Sequence, residues 1–161
     1  MKKAELKGFI ALLILLAFVA SAWAGLPAPS RPSPRDKCPV CGMFVAKYPD
    51  FLAQTVFADG AVFHFDGVKD MMKFIFRLDR YSPGRKSSDM IAVYVTDYYS
   101  MTFIDGRKAF YVIGSDVYGP MGKELIPFRK KTEAEEFLKD HQGKRLLTYG
   151  EITPDLLRKI D

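Results

Sequence analysis

Residues 51–81, FLAQTVFADGAVFHFDGVKDMMKFIFRLDRY, decide the fold. They hold two β-branched and aromatic runs, 51–58 and 61–65, joined by Asp59-Gly60, a pair that suits a two-residue hairpin turn because both turn positions need φ > 0. Val68, Met71, Met72, Ile75 and Leu78 then recur at spacings of three and four, the period of one helix face. Asp66 is placed to cap that helix, and Ser82, Pro83 and Gly84 to stop it. Past a polar loop, MIAVYVT at 90–96 reads as a buried strand, which completes a ββαβ unit.

The same order is predicted to come round again. Residues 101–104 and 109–113 flank Asp105-Gly106 as a second hairpin, its turn lengthened by Arg107 and Lys108. The GPMG loop at 119–122 leads to a helix with a Thr132–Glu135 capping box and Ala134, Phe137 and Leu138 on one face, ended by Gly143. Residues 145–149 supply the last strand, and Thr153-Pro154 opens a short C-terminal helix with Leu156, Leu157 and Ile160 as its apolar side. Tyr94, Tyr98, Tyr99 and Tyr111 read as strand residues. The fold class is therefore α+β: two ββαβ units, an internal duplication resting on element order and the two DG turns. Neither half alone buries much core, so the two are expected to pack as one compact domain.

Outside that domain the chain reads differently. Lys2, Lys3 and Lys7, an apolar run over 9–20 and Ala22-Trp23-Ala24 have the three parts of a secretory signal, so residues 1–24 are expected to direct export and to leave 137 of the 161 residues. The apolar run is shorter than the roughly 20 residues a spanning helix needs, and no cysteine at the cleavage point marks a lipid anchor. Residues 25–37 alternate proline with small and charged residues and read as an extended, solvated tether; the folded domain is expected at 38–161. The leader carries +2 of the net charge of +5, and the remainder is too evenly spread to favour nucleic acid. With 48% apolar residues, disorder is not expected.

The chemistry concentrates in CPVCGM at 38–43, where Cys38, Cys41 and Met43 place three sulfurs in six residues. Gly42 lets the backbone fold so that Cys41 and Met43 converge on one ion. Met121 adds a second thioether, held out on a turn by Gly119, Pro120 and Gly122. Thiolate and thioether suit Cu(I), whereas structural zinc favours paired Cys and His spacing that is absent here. An exported CPVC also permits a Cys38–Cys41 disulfide, so a redox pair and a metal site compete. Met71 and Met72 read as core. His64, facing opposite to Phe63 and Phe65 by strand alternation, is a surface histidine, a fourth ligand or a hydrogen-bonding support; His141 suits a helix C-terminus. There is no GxGxxG, P-loop, GxSxG or HExxH motif.

From Cys38 to Ile152 the sequence resembles the NosL family of exported copper chaperones that serve nitrous oxide reductase. The similarity is carried by CGM at 41–43, FHFDGVKDMM at 63–72, VTDY at 95–98, KAFYV at 108–112 and GPMG at 119–122 followed by 124–128. The resemblance implies a duplicated ββαβ fold and Cu(I) held by Cys41, Met43 and Met121, with Cys38 as an extra ligand or a disulfide lock and His64 unassigned. It also implies transfer of copper to apo nitrous oxide reductase or to its membrane transporter complex. A homodimer sharing ligands is compatible with the sequence. The expected function is thus a non-enzymatic, periplasmic Cu(I) chaperone; the rival is a thiol-disulfide reductant acting on a copper protein through Cys38 and Cys41.

Overall fold

The computed structural model describes residues 25–161, so the predicted leader lies outside the described residues. The first hairpin is formed by β1 (Ala53–Phe57) and β2 (Val62–Phe65), in antiparallel register with Val56 opposite Val62. Its turn falls on the expected residues but has three loop residues instead of two: Phe57 N–H donates to Ala61 O and Gly60 N–H to Phe57 O, both at 2.9 Å, Gly60 takes φ +84° while Asp59 does not turn left-handed, and the Asp59 carboxylate accepts from Ala61 N at 3.0 Å. Helix α1 (Val68–Phe76) follows, breaks at Arg77, and resumes as the single turn α2 (Leu78–Tyr81), which still delivers Leu78 to the core. Strand β3 (Met90–Thr96) then pairs with the other side of β1.

The second hairpin differs from the prediction. The segment β4 (Phe103–Asp105) pairs with β3, putting Asp105 opposite Tyr94, and closes a first sheet of order β2-β1-β3-β4. Asp105-Gly106 does make a local turn, with Lys108 N–H donating to Asp105 O at 3.0 Å, but it carries the chain out of this sheet and into the next. The actual hairpin joins β5 (Phe110–Gly119) to β6 (Gly122–Phe128) around Pro120-Met121. Gly122, at φ +85°, supplies the left-handed residue that such a Pro-led turn needs before the strand resumes. β6 was concealed by Pro127, which is tolerated because β6 is an edge strand.

Helix α3 (Lys131–Asp140), β7 (Arg145–Thr148) and α4 (Pro154–Ile160) complete the chain, and the second sheet has order β6-β5-β7. That order reproduces β2-β1-β3, so the duplication is real at the level of topology, with β4 an addition to the first unit. Two expected helix caps are not formed. Lys130, not Thr132, precedes α3 and no side chain caps it, whereas Thr153 does cap α4, accepting from Leu156 N at 3.2 Å. Tyr98 and Tyr99 sit in a turn after β3, not in a strand.

One core joins the two units. Phe65, Met71, Met72, Phe74, Val93 and Val95 of the first pack with Tyr111, Ile113, Leu125 and Leu147 of the second and with Leu156 and Leu157 of α4. Alternation then sends Val112, Ile126 and Phe128 to the opposite face of the second sheet, where Ala134 and Phe137 of α3 cover them. On the outer face of the first sheet, His64, Gln54 and Tyr94 stand side by side across β2, β1 and β3. The proline-rich segment lies along this row: Ser30 N–H donates to Gln54 Oε1 at 3.0 Å, Ser30 Oγ is 3.2 Å from His64 Nε2, and Tyr94 OH donates to Pro27 O. The segment is extended as expected, but it is pinned to the sheet instead of hanging free in solvent.

Candidate metal centre

The loop at 38–43 is shaped by its own backbone. Cys38 N–H donates to Met43 O and Gly42 N–H donates to Cys38 O, both at 2.9 Å, and Lys37 pairs with Phe44 to close the base. Gly42 takes φ +80°, a conformation costly for any residue with a Cβ. The turn points both thiols at the N-terminal end of α1. Cys38 is buried and its Sγ lies 3.5 Å from Asp70 Oδ2; Cys41 is half-buried and its Sγ lies 3.3 Å from Asp66 Oδ1. Asp66 lies just ahead of the Gly67 N-cap residue and Asp70 in the first turn of α1, so both carboxylates stand at the same end of the helix.

Two of these residues were not read as part of the site. Asp66 was expected to cap α1, but Gly67 is the N-cap residue, and the Asp66 carboxylate turns to Cys41 instead. Asp70 had no assigned role. The one local signal was their spacing at the start of a helix; the facing loop lies 25 and 32 residues away in sequence. One ligand atom from each of Cys38, Cys41, Asp66 and Asp70 comes within 4.8 Å of the other three.

Both thiols are free and held in the protonated form. Burial pushes Cys41 up to about 12, with the neighbouring carboxylates adding to the effect. Cys38, deeper in the protein, is raised further by burial and by Asp66. Copper or any other metal must therefore displace protons to bind.

The Met121 turn reaches this end of the molecule from the second unit. Met121 caps the β5–β6 turn and is 45% exposed, while Met43 is half-buried within the loop. Lys69, buried in the first turn of α1, holds the turn by donating from Nζ to Met121 O at 2.9 Å. Its backbone N–H donates to Glu124 Oε1 at 2.6 Å, so β6 supplies the cap that α1 lacks from its own sequence. Glu124 approaches so closely that a Cβ on Gly67 would lie 2.2 Å from its Oε2. Burial raises the Glu124 carboxyl to about 7 despite those two backbone donors, Lys69 and Leu125.

His64 belongs to the outer face of the first sheet, with Nε2 near Ser30 and Nδ1 3.5 Å from Asp36 Oδ2. It is not among the residues whose ligand atoms converge. His141 follows α3, stacked on Phe137 with ring centroids 4.2 Å apart and Nδ1 2.9 Å from Asp116 Oδ1.

A duplicated ββαβ fold with thiols and carboxylates gathered at the head of one helix, in positions that could hold a metal ion, defines a class of small α+β proteins. Within that class the chain belongs to the NosL family, whose model matches residues 29–157. It is 29% identical over 132 residues to the copper-binding lipoprotein NosL of Stutzerimonas stutzeri, an alignment covering 77% of this chain and 65% of that protein. Among solved structures, the crystal structure of the copper chaperone NosL from Shewanella denitrificans superposes with a TM-score of 0.66 at 26% identity, covering 80% of this chain and 98% of that one.

Proposed function

We propose that this protein is an extracytoplasmic, non-enzymatic Cu(I) chaperone that holds copper through Cys41, Met43 and Met121. We further propose that it delivers copper to apo nitrous oxide reductase or the membrane transporter complex serving it. The observation that carries the reading is the tether between the two units: Lys69 binds the Met121 turn to the same helix end whose Asp66 faces Cys41. Family membership and the names of the two relatives, a copper-binding lipoprotein and a copper chaperone, support copper as the cargo and a location outside the cytoplasm. One thiolate and two thioethers make a soft, low-coordinate set that suits Cu(I) and releases it readily to a better ligand set.

The thiol-reductant alternative fits the site less well. Disulfide exchange needs an accessible thiolate, whereas Cys38 is buried and both thiols are held protonated beside carboxylates. Cu(I) titration against a chromophoric chelator under reducing, anaerobic conditions tests the copper reading. One Cu(I) per chain is expected, weakened in Met43→Leu and Met121→Leu. Binding untouched by both substitutions, with copper held by the cysteines alone, would refute the ligand assignment.

A further inference from the structure

Helix α1 breaks at Arg77, and α4 packs beside it so that the two leave a half-open cleft of about 310 Å³ between them. The floor is apolar: Phe76, Tyr81, Pro154 and Leu157 line it, and Leu157 belongs to the main core. The rim carries Lys73, Arg77, Arg80 and Arg158 against one carboxylate, Asp161. None of these residues belongs to the cluster of thiols and carboxylates at the head of α1.

The four cations are of two kinds. Lys73 is committed to the fold: its Nζ lies 2.5 Å from Asp161 Oδ1, which is also 3.6 Å from the buried Lys69 ammonium, so this group clamps the end of α4 to α1. The three arginines are free to be recruited. Among the described residues, Arg77 and Arg158 pair with Asp79 and Asp155, close neighbours in sequence on the exposed surface, and such pairs add little to stability. Arg80 lies over the Tyr81 ring, 5.3 Å from its centroid, and among the described residues makes no ion pair. Helix C-termini favour cations, which accounts for the sign of these groups but not for their gathering around an apolar cleft.

We propose that this cleft is a docking site for an acidic segment of a partner protein, which sets carboxylates against Arg77, Arg80 and Arg158 and an apolar side chain on the floor. Arginine presents a planar fork that takes a carboxylate through two parallel hydrogen bonds, and arginine and aromatic side chains around an apolar pocket are what protein interfaces concentrate. At about 310 Å³ and open on one side, the cleft accommodates side chains of a longer chain but does not enclose a free small molecule. An anionic membrane is a poorer match. It favours an unbroken basic surface, and Asp79, Asp155 and Asp161 interrupt this one, whereas a flexible segment can set its carboxylates between them. Docking exchanges two exposed ion pairs for intermolecular ones, with no covalent change. The inference stands apart from the copper reading, although the clamp at Asp161 reaches Lys69 and through it the Met121 turn.

The test uses isotope-labelled, reduced protein and, as probe, a synthetic peptide in which Asp and Glu flank a single Phe. In an NMR titration the amides of 73–81 and 154–161 should shift before any others, with an affinity that falls as salt is raised. Shifts centred elsewhere, or binding indifferent to salt, would overturn the proposal. Arg77→Glu/Arg80→Glu reverses two charges on the rim and should weaken the peptide more than about tenfold. Arg158→Gln, which only removes a charge, should show a smaller loss and keeps the proposal testable if the double variant misfolds. Unchanged affinity in a folded variant would overturn the assignment, as would equal binding of a control peptide with Lys in place of Asp and Glu. Preference for phosphatidylglycerol vesicles over the peptide, or dimerisation abolished by the same charge reversal, would give the cleft to a membrane or to a second copy of the chain and overturn the proposal.

Discussion

Glu124 offers a quantitative check on how the two units are joined. Its carboxyl is fully buried against the head of α1, with Oε1 accepting from Lys69 N at 2.6 Å and Leu125 N at 2.8 Å. Burial raises it from an ordinary 4.5 to about 7. A carboxyl whose folded value exceeds its unfolded one stabilises the protein fully below the unfolded value, and that contribution is lost as pH rises through the folded value. At about 1.4 kcal/mol per pH unit, the loss between pH 4.5 and pH 8 is about 3 kcal/mol. Glu124→Gln keeps the single oxygen that accepts both backbone donors and removes the ionisation. It should therefore match the parent near pH 4.5 and exceed it by about 3 kcal/mol at pH 8. Urea unfolding of both reduced, metal-free proteins across that range measures the difference directly, since other titrating groups cancel between them. Parallel stability profiles would refute the assignment of a strained, buried carboxyl at this junction.

Copper affinity should rise about tenfold per pH unit between pH 6 and 9 if Cys41 alone loses its proton, and about a hundredfold if both thiols do; chelator competition at several pH values separates the two. Cys41→Ala should abolish Cu(I) binding while Cys38→Ala retains most of it, and equal loss would indicate a dithiolate copper site. Because a thiol in a disulfide cannot ligate, incubation with an oxidised thiol buffer should block loading in the parent more than in Cys38→Ala; equal retention would exclude a lock at Cys38. His64→Ala should loosen the proline-rich segment, which Gln54 and Tyr94 still hold, and moderately faster limited proteolysis within 27–35, with little change in Cu(I) affinity, is the expected sign.

Much of the architecture is local and so was legible in the chain. The first ββα run carries its own instructions: a DG turn between two β-branched and aromatic runs, a helical period near 3.6, and a Pro-Gly stop. β3 falls on the predicted residues 90–96, and Met71 and Met72 are core as read. The Cys-x-Met pair and the PMG turn were equally visible, because a sulfur flanked by turn formers is a local pattern. What tertiary structure decided is which segments become partners. Asp105-Gly106 makes a turn wherever it occurs, but β4 adds to β3 because an open edge of the first sheet is there to receive it. Asp66 leaves the capping role to Glu124, 58 residues away, because the carboxylate faces a thiol loop that reaches α1 only in the folded chain. Asp70 likewise acquires its chemistry from proximity: no local pattern marks it, and it meets the Cys38 thiol, which the CPVC spacing did mark, only when the loop closes on the head of the helix. Periodicity and turn chemistry act over a few residues, and the sequence alone determined what they govern; the junction of the two units and the carboxylate side of the metal centre depend on long-range packing, and only the fold decided them.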